Sequence, residues 1–171
     1  MSYAVNRVVV IGSGTMGGGI AAHVANAGIP VYLLDIAPQG STTEEEKRGL
    51  NADHPQVRNQ IATASLERLK KSKPAAFFTP EAADLVTVGN LEDNFEWVGE
   101  GDLVVEAIVE NLVVKRELIA RIEKVRKPNS IVSSNTSGLP ITAIAASRRL
   151  WLCLFVTELK HNHNTISRMN L

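Results

Sequence analysis

Three glycines in the segment IGSGTMGGG have the spacing of a phosphate-binding turn. Gly12, Gly14 and Gly17 form the pattern G-x-G-x-x-G directly after the apolar run 7–11, at the start of a helical pattern. The first glycine makes the tight turn, the second lets the backbone approach a pyrophosphate, and the third lets the helix pack on the strand. The free N–H groups at the helix N-terminus would bind the pyrophosphate. The segment therefore predicts a dinucleotide-binding turn, with a flexible loop of chance spacing as the alternative.

An acidic residue follows at the place where a dinucleotide site needs one. Asp35 ends the apolar run 30–34, about 20 residues beyond the glycines. A carboxylate at this position accepts hydrogen bonds from the ribose hydroxyls of adenosine and repels a 2′-phosphate. NAD is therefore favoured over NADP as the cofactor. A flavin dinucleotide uses a similar turn, although nothing else in the sequence indicates a flavin enzyme.

Two further groups of polar residues follow later apolar runs. The segment VEAIVENLVVK carries Glu106, Glu110, Asn111 and Lys115, and the segment SSNTSG carries Ser134, Asn135, Thr136 and Ser137. Because ligands bind outside the carboxyl ends of parallel strands, we predict that both groups lie at the dinucleotide edge. Glu110 and Asn111 could instead begin a helix, Lys115 could be a solvated charge, and SSNTSG could be a capped turn. His23, on the first helix, is interpreted as a packing residue.

Apolar periodicity places these groups on alternating strands and helices. Strands are predicted at 7–11, 30–34, 85–88, 102–108 and 130–134, and helices at 16–27, 113–127 and 141–146. Residues 36–78 predict one or two helices inserted after the second strand. The alternation indicates an α/β fold of the Rossmann type, doubly wound around a mainly parallel sheet.

Composition and charge limit the classes of partner. The 171 residues suffice for one domain, and their formal net charge of zero gives no electrostatic reason to expect nucleic acid or an anionic membrane as a partner. The single cysteine, Cys153, excludes an intramolecular disulfide and favours a reducing compartment. The N-terminal apolar run is too short for a signal sequence or a membrane span. We therefore predict a cytoplasmic protein, and the absence of a metal-ligand cluster predicts that no metal is bound.

At these motifs the chain resembles the NAD-binding domain of the 3-hydroxyacyl-CoA dehydrogenases of fatty-acid β-oxidation, most of all the bacterial enzymes in which it belongs to a larger protein. The resemblance covers about residues 5–147 and depends on IGSGTMGGGIAAHVANAGIPVYLLDI, DLVVEAIVENLVVKRELIARI and SIVSSNTSGLPITAIA. It implies that Gly12, Gly14, Met16 and Gly17 contact the pyrophosphate and Asp35 the adenosine ribose. It also implies that Glu110 and Lys115 lie along the nicotinamide half, that Asn135 binds the cofactor, and that Ser137 binds the 3-oxygen of the substrate.

The resemblance also implies an activity and partners. The reaction is the reversible oxidation of an L-3-hydroxyacyl-CoA to the 3-ketoacyl-CoA, with NAD as hydride acceptor. The insertion around 66–73 would flank the acyl-CoA, and its basic end RLKKSK could meet CoA phosphates or be a solvated helix end. Removing the hydroxyl proton needs a histidine, which the family supplies in the motif H-F-F-N-P. A homodimer is a further expectation.

The last residues of the chain depart from the resemblance. The segment FVTELKHNH stands where H-F-F-N-P is expected, so His161 and His163 lack the residues that would position an imidazole. We predict an NAD-binding domain at 1–147 and an atypical tail at 148–171, truncated or frame-shifted, in which WLCLFV could form a replacement strand. We expect the chain by itself to be inactive. The alternatives are a non-catalytic NAD-binding module and a 3-hydroxyacid dehydrogenase on the same scaffold.

Overall fold

The computed structural model describes residues 4–41, 49–145 and 152–154. The strands within these ranges are β1 (Val8–Ile11), β2 (Val31–Asp35), β3 (Val86–Asn90), β4 (Leu103–Glu106), β5 (Ile131–Ser134) and β6 (Leu152–Leu154). The helices are α1 (Thr15–Asn26), α2 (Pro55–Arg58), α3 (Gln60–Lys70), α4 (Pro80–Asp84), α5 (Leu112–Val125) and α6 (Ile141–Ala145), and a 3-10 helix spans Phe95–Glu100. The predicted alternation of strands and helices is confirmed.

The strands of the described residues form one parallel sheet in the order β3-β2-β1-β4-β5-β6. The central strand is β1, in which Val9 pairs with Tyr32 of β2 on one side and with Val104 of β4 on the other. Strands β2 and β3 lie on one side of β1, and strands β4, β5 and β6 lie on the other side. In a doubly wound sheet this switch point is where a ligand binds, outside the carboxyl ends of the strands. The predicted Rossmann-type fold is therefore confirmed.

Helices cover both faces of the sheet, which explains the continuous apolar runs of its strands. Val8, Val10 and Leu33 pack on one face against α1, α3 and α4. Val9 and Ile11 pack on the other face against α5 and α6. All four residues of β1 are at most 1% exposed. The carboxyl end of β1 is therefore a rigid support for the glycine turn that follows it.

Two predicted boundaries are shifted by side chains that bind the backbone. Strand β4 ends at Glu106 and not at Ile108, because the Glu106 carboxylate accepts a hydrogen bond from the Ile108 N–H at 2.8 Å. Helix α5 begins directly after Asn111, whose side-chain oxygen accepts hydrogen bonds from the N–H groups of Val113 and Val114 at 3.0 and 3.2 Å. Asn111 is thus a helix cap, as the alternative interpretation of its sequence position held.

The predicted insertion after β2 is confirmed as the helices α2 and α3, and residues 42–48 of this segment lie outside the described ranges. The interpretation of His23 as a packing residue is wrong, because His23 is exposed on the surface of α1. In the part of the chain that the structure describes, no helix is long and apolar enough to cross a membrane. The same residues contain no group of three or more His, Cys, Asp or Glu side chains that could hold a metal ion.

Three residues of the predicted tail join the sheet. Leu152 pairs with Val132 of β5, and Leu154 pairs with Ser134, both in parallel orientation. The replacement strand expected from WLCLFV is therefore confirmed in its backbone pairing. His161 and His163 lie outside the described residues, and the division of the chain at residue 147 stays a prediction.

Candidate functional site

An open cleft of about 540 Å³ lies at the carboxyl ends of β1, β4 and β5. Its lining comes from three segments: Gly14, Thr15 and Met16 after β1, Ala107, Ile108, Val109 and Glu110 after β4, and Asn135, Thr136 and Ser137 after β5. These are the three segments that the sequence predicts to meet at one edge of the sheet. The fold therefore joins the glycine turn and both later polar groups in one site.

The first position of the turn admits only glycine. Gly12 has a φ of +98°, and a Cβ at this position would lie 2.5 Å from the carbonyl oxygen of Ala107. The Gly12 N–H donates a hydrogen bond to the Leu34 carbonyl oxygen at 2.8 Å, so the turn begins while the chain is still paired with β2. The missing side chain therefore lets the loops after β1 and β4 touch each other.

The third glycine sets the distance between α1 and the turn. A Cβ on Gly17 would lie 1.8 Å from the Gly12 carbonyl oxygen, far inside contact distance. The first turn of α1 consequently packs directly on the end of β1, and its residues Thr15 and Met16 line the cleft. The first N–H groups of a helix have no partner within it, so this end of α1 is suited to bind an anion.

Asp35 lies beside the turn and is held by it. Its Oδ2 accepts hydrogen bonds from the N–H and the hydroxyl of Ser13, each at 2.6 Å, and its Oδ1 accepts one from the Ile36 N–H at 2.8 Å. A carboxylate has about four acceptor sites, so these bonds leave capacity for a ribose hydroxyl. The position and the charge of Asp35 therefore fit the adenosine half of NAD.

Gly14 provides a direct test of whether a dinucleotide fits. Within the described residues no atom lies closer than 4 Å to the position of a Cβ on Gly14, although the residue lines the cleft. Packing inside the domain therefore gives no reason for a glycine here. The free volume beside its backbone suits the close approach of a phosphate. Together with the helix end and Asp35, Gly14 shows that the described residues fit NAD.

Replacing Gly14 by alanine is expected to weaken NAD binding about tenfold or more, because the added methyl group occupies the space where a pyrophosphate approaches the backbone. The stability of the ligand-free chain should fall by less than about 1 kcal/mol, since the methyl group meets no protein atom and only the helix cap changes. Isothermal calorimetry with NAD and thermal unfolding without it measure the two effects. An unchanged affinity for NAD would contradict the assignment of the pyrophosphate to this turn.

Glu110 joins two loops on the opposite side of the cleft. Its Oε1 accepts hydrogen bonds from the Thr136 hydroxyl, from the Ser137 N–H at 3.3 Å and from the Gly138 N–H at 2.9 Å. The hydrogen bond from Thr136, those from the two N–H groups and the nearby Lys115 ammonium hold the pKa of the Glu110 carboxyl below its usual range. A carboxylate that is ionised at neutral pH therefore fixes the loop that carries Ser137.

A buried ion pair lies beneath the cleft. The Lys115 Nζ is 2.6 Å from the Glu106 Oε1, and both side chains are 0% exposed. The Ser134 hydroxyl donates a hydrogen bond to the Glu106 Oε2. The Lys115 Nζ also donates to the Ile108 carbonyl oxygen at 3.4 Å and lies 3.6 Å from the Glu110 Oε2. The pair therefore ties β4, β5 and α5 together under the residues that line the cleft.

The structure places the predicted site residues in two layers. The upper layer lines the cleft and contains Gly14, Met16, Glu110, Asn135, Thr136 and Ser137. The lower layer supports it and contains the buried residues Gly12, Gly17, Glu106, Lys115 and Ser134. The alternative that Lys115 is a solvated helix charge is wrong, because its side chain is fully buried. Its contact with the nicotinamide half stays a prediction.

Sequence reasoning does not identify two serines of the site. Ser13 binds Asp35, and the Ser65 hydroxyl of α3 donates a hydrogen bond to the Ser13 carbonyl oxygen. Ser13 occupies a variable position of the glycine pattern, so the pattern gives no reason to select it. A signal for Ser65 exists, because it lies on the buried side of α3 together with Ala62 and Leu66.

Comparison with protein families decides what the domain is. Residues 7–150 match the family model of the 3-hydroxyacyl-CoA dehydrogenase NAD-binding domain. The chain belongs to this family. A "Probable 3-hydroxyacyl-CoA dehydrogenase" of Bacillus subtilis (strain 168) is 46% identical over 144 residues, which are 84% of this chain and 18% of that protein. A protein of the same name from Deinococcus radiodurans is 44% identical over 137 residues, which are 80% of this chain and 36% of that protein.

Solved structures agree with this assignment to the 3-hydroxyacyl-CoA dehydrogenase family. The crystal structure of 3-hydroxybutyryl-CoA dehydrogenase from Escherichia coli K12 is 34% identical, with a TM-score of 0.55 over 84% of this chain and 27% of that chain. The chain thus spans only 18% and 36% of the two relatives named above. The family is one of oxidoreductases, and the predicted cofactor, NAD, is confirmed by the family of the domain.

Proposed function

We propose that this dehydrogenase domain serves the oxidation of an L-3-hydroxyacyl-CoA to the 3-ketoacyl-CoA with NAD, in fatty-acid β-oxidation. The observation that carries the proposal is the shared cleft, in which the glycine turn after β1 and the Ser137 loop after β5 line one volume. A backbone suited to a pyrophosphate and a hydroxyl suited to a substrate oxygen are thereby available to the same reaction. The names of the relatives support the acyl-CoA substrate.

The residues of the site have separate tasks in this reaction. When bound, NAD accepts the hydride from the carbon that carries the hydroxyl group. The first turn of α1 and Gly14 would bind the pyrophosphate, and Asp35 would accept hydrogen bonds from the adenosine ribose. Glu110 holds the loop of Ser137 by accepting hydrogen bonds from its backbone, and the Ser137 hydroxyl would donate a hydrogen bond to the 3-oxygen of the substrate. Asn135 and Met16 line the same cleft and would make further contacts with the cofactor.

The proton of the substrate hydroxyl needs a base that titrates near neutral pH. The histidines of the described residues are His23 and His54, and neither lines the cleft. The Nδ1 of His54 accepts a hydrogen bond from the Gln56 N–H and caps α2. In the proposed enzyme the base therefore comes from outside the described residues.

A non-catalytic NAD-binding module is the second candidate function. The lack of a histidine in the lining of the described cleft favours it. The hydroxyl of Ser137 in that lining favours the enzyme, because a module that only binds NAD needs no substrate-binding group. The homodimer and the cytoplasmic location stay predictions for both candidates.

Two measurements on one sample separate these candidates. NAD binding is measured by calorimetry, and oxidation of NADH is followed in the presence of acetoacetyl-CoA. Turnover, or binding of acetoacetyl-CoA to the NAD-loaded chain, supports the dehydrogenase domain, and NAD binding without either supports the module. A chain that does not bind NAD would contradict both proposals.

Replacing Asp35 by alanine is expected to weaken NAD binding about 10- to 100-fold, because a hydrogen bond to a charged group contributes about 1.5–3 kcal/mol. NADP binding should weaken less or improve, since the charge that repels a 2′-phosphate is removed. The control is Asp84→Ala, which removes the same charge at the exposed end of α4. Equal losses in both variants, or an unchanged ratio of NADP to NAD affinity, would count against the assignment of the ribose to Asp35.

A further inference from the structure

Helix α3 of the insertion touches the NAD-binding turn through a buried serine. The Ser65 hydroxyl donates a hydrogen bond to the Ser13 carbonyl oxygen at 2.5 Å, and the two residues are 4% and 2% exposed. A Cβ on Gly18 would lie 3.0 Å from the Ser65 Oγ and 3.2 Å from the Leu69 Cδ1, so α1 and α3 are in close contact here. The insertion is therefore docked on the turn that binds the cofactor.

Ser13 connects the hydrogen bond from Ser65 to two parts of the cofactor site. Its N–H and its hydroxyl both donate hydrogen bonds to the Asp35 Oδ2 at 2.6 Å, while its carbonyl group is held by Ser65. That carbonyl belongs to the peptide plane shared with Gly14. Because the C=O and N–H of a trans peptide point in opposite directions, a fixed Ser13 carbonyl also fixes the direction of the Gly14 N–H. One serine of α3 thus restrains both Asp35 and the pyrophosphate-binding backbone.

Packing alone does not explain a serine at this position of α3. The other buried residues of the helix are Ala62 and Leu66, and alanine has the higher helix propensity at a small buried position. The hydroxyl of Ser65 has a partner on each side, since it donates to Ser13 and accepts a hydrogen bond from the Arg68 Nη2 at 3.3 Å. An accepted hydrogen bond from a cation strengthens the one that the hydroxyl donates. The hydroxyl therefore has a specific task at the turn.

We propose that Ser65 is a positioning residue for the adenosine half of NAD, which acts from α3 through Ser13 on Asp35 and Gly14. This inference rests on the NAD binding proposed above and extends it. The helical insertion would then take part in cofactor binding. The family resemblance implies only that it flanks the acyl-CoA.

Two buried serines provide a matched pair of variants. Ser65→Ala is compared with Ser130→Ala, since the Ser130 hydroxyl is also buried and donates to the Lys127 carbonyl oxygen at 2.9 Å, just before β5 and away from the cleft. Both variants lose one hydrogen bond from the hydroxyl of a buried serine to a backbone carbonyl group. We expect Ser65→Ala to weaken NAD binding about three- to tenfold and Ser130→Ala to leave it unchanged. ADP-ribose, which keeps the adenosine and the pyrophosphate of NAD and lacks the nicotinamide ring, should show the same loss in Ser65→Ala.

A double-mutant cycle separates positioning from general loosening of the fold. If Ser65 acts through Asp35, Ser65→Ala should weaken NAD binding by at most about twofold in a chain that already carries Asp35→Ala. Unchanged NAD affinity in Ser65→Ala, an equal loss in Ser130→Ala, or fully additive effects would each overturn the inference. Failure of the unaltered chain to bind NAD would overturn the proposed function and this inference with it, so the two failures are distinguishable.

Discussion

Replacing Lys115 by methionine is expected to lower the free energy of unfolding by about 3–5 kcal/mol, because it leaves a buried carboxylate without its cation. The Lys115 Nζ is 2.6 Å from the Glu106 Oε1, and neither side chain is exposed. Methionine retains most of the length and the apolar stem of lysine, so the loss would come from the unpaired charge and not from a cavity. Urea denaturation followed by circular dichroism measures the difference.

Two further variants test this explanation of the Lys115 effect. Lys124→Met removes a charge from the exposed side of the same helix and should change the free energy of unfolding by at most about 0.5 kcal/mol. Combining Lys115→Met with Glu106→Gln removes both charges of the buried pair and should recover part of the lost stability. If Lys115→Met and Lys124→Met have the same free energy of unfolding, the buried ion pair does not stabilise the fold beneath the cleft.

Replacing Gly17 by alanine is expected to abolish measurable NAD binding and to lower the free energy of unfolding by about 1–3 kcal/mol or more. The new Cβ would lie 1.8 Å from the Gly12 carbonyl oxygen. That oxygen belongs to the backbone of the turn, so the clash with the new Cβ can be relieved only by moving α1 away from the end of β1. Moving the helix would also displace the N–H groups to which we assign the pyrophosphate.

Gly19→Ala is the matched control two residues along the same helix. In the described structure no atom lies within 4 Å of a Cβ at Gly19, and the residue is exposed. Alanine in an exposed helix interior should raise the free energy of unfolding by about 0.5–1 kcal/mol and leave the NAD affinity unchanged. Thermal unfolding and NAD titration of both variants provide the comparison. A Gly17→Ala chain that binds NAD as tightly as the Gly19→Ala chain would refute the proposal that NAD binding needs the close packing of α1 on the glycine turn.

The glycine-rich segment thus separates stability from affinity. Gly17 is expected to be needed for both, because its missing side chain lets the helix touch the turn. Gly14 is expected to be needed for NAD affinity, because the free volume beside it faces the cleft and not the core. Gly19 is expected to be needed for neither. The three alanine variants together therefore distinguish a cofactor site from a merely tight turn.

The lower layer of the site explains why polar groups are buried beneath a cleft. The Glu106 carboxylate accepts hydrogen bonds from β5, from the loop after β4 and from Lys115 of α5. The loop after β4 carries part of the lining, β5 leads into the loop of Ser137, and α5 begins two residues after Glu110. A buried charge network whose groups are all paired favours one arrangement of these elements over others. The network therefore defines the relative positions of Glu110 and the Ser137 loop.

Sequence alone determined the fold class, the cofactor turn and the edge at which the site lies. The reasons are local: Gly12 and Gly17 occupy positions where one turn cannot accommodate a side chain, and Asp35 ends the adjacent strand. The carboxyl ends of parallel strands necessarily share an edge, so the loops of Glu110 and Ser137 could be assigned to it before any contact was known. These properties depend on residue type and spacing, which the sequence contains.

Only the tertiary structure decided which of these residues line the cleft and which support it. Lys115 lies one helical turn before the buried residue Leu118, but its burial depends on the carboxylate of Glu106 that meets it. Ser13 and Ser65 are 52 residues apart, and no spacing pattern relates them. The choice of a hydrogen-bond partner depends on differences of a few tenths of an ångström between packed elements. Such distances arise only when the core brings those elements together.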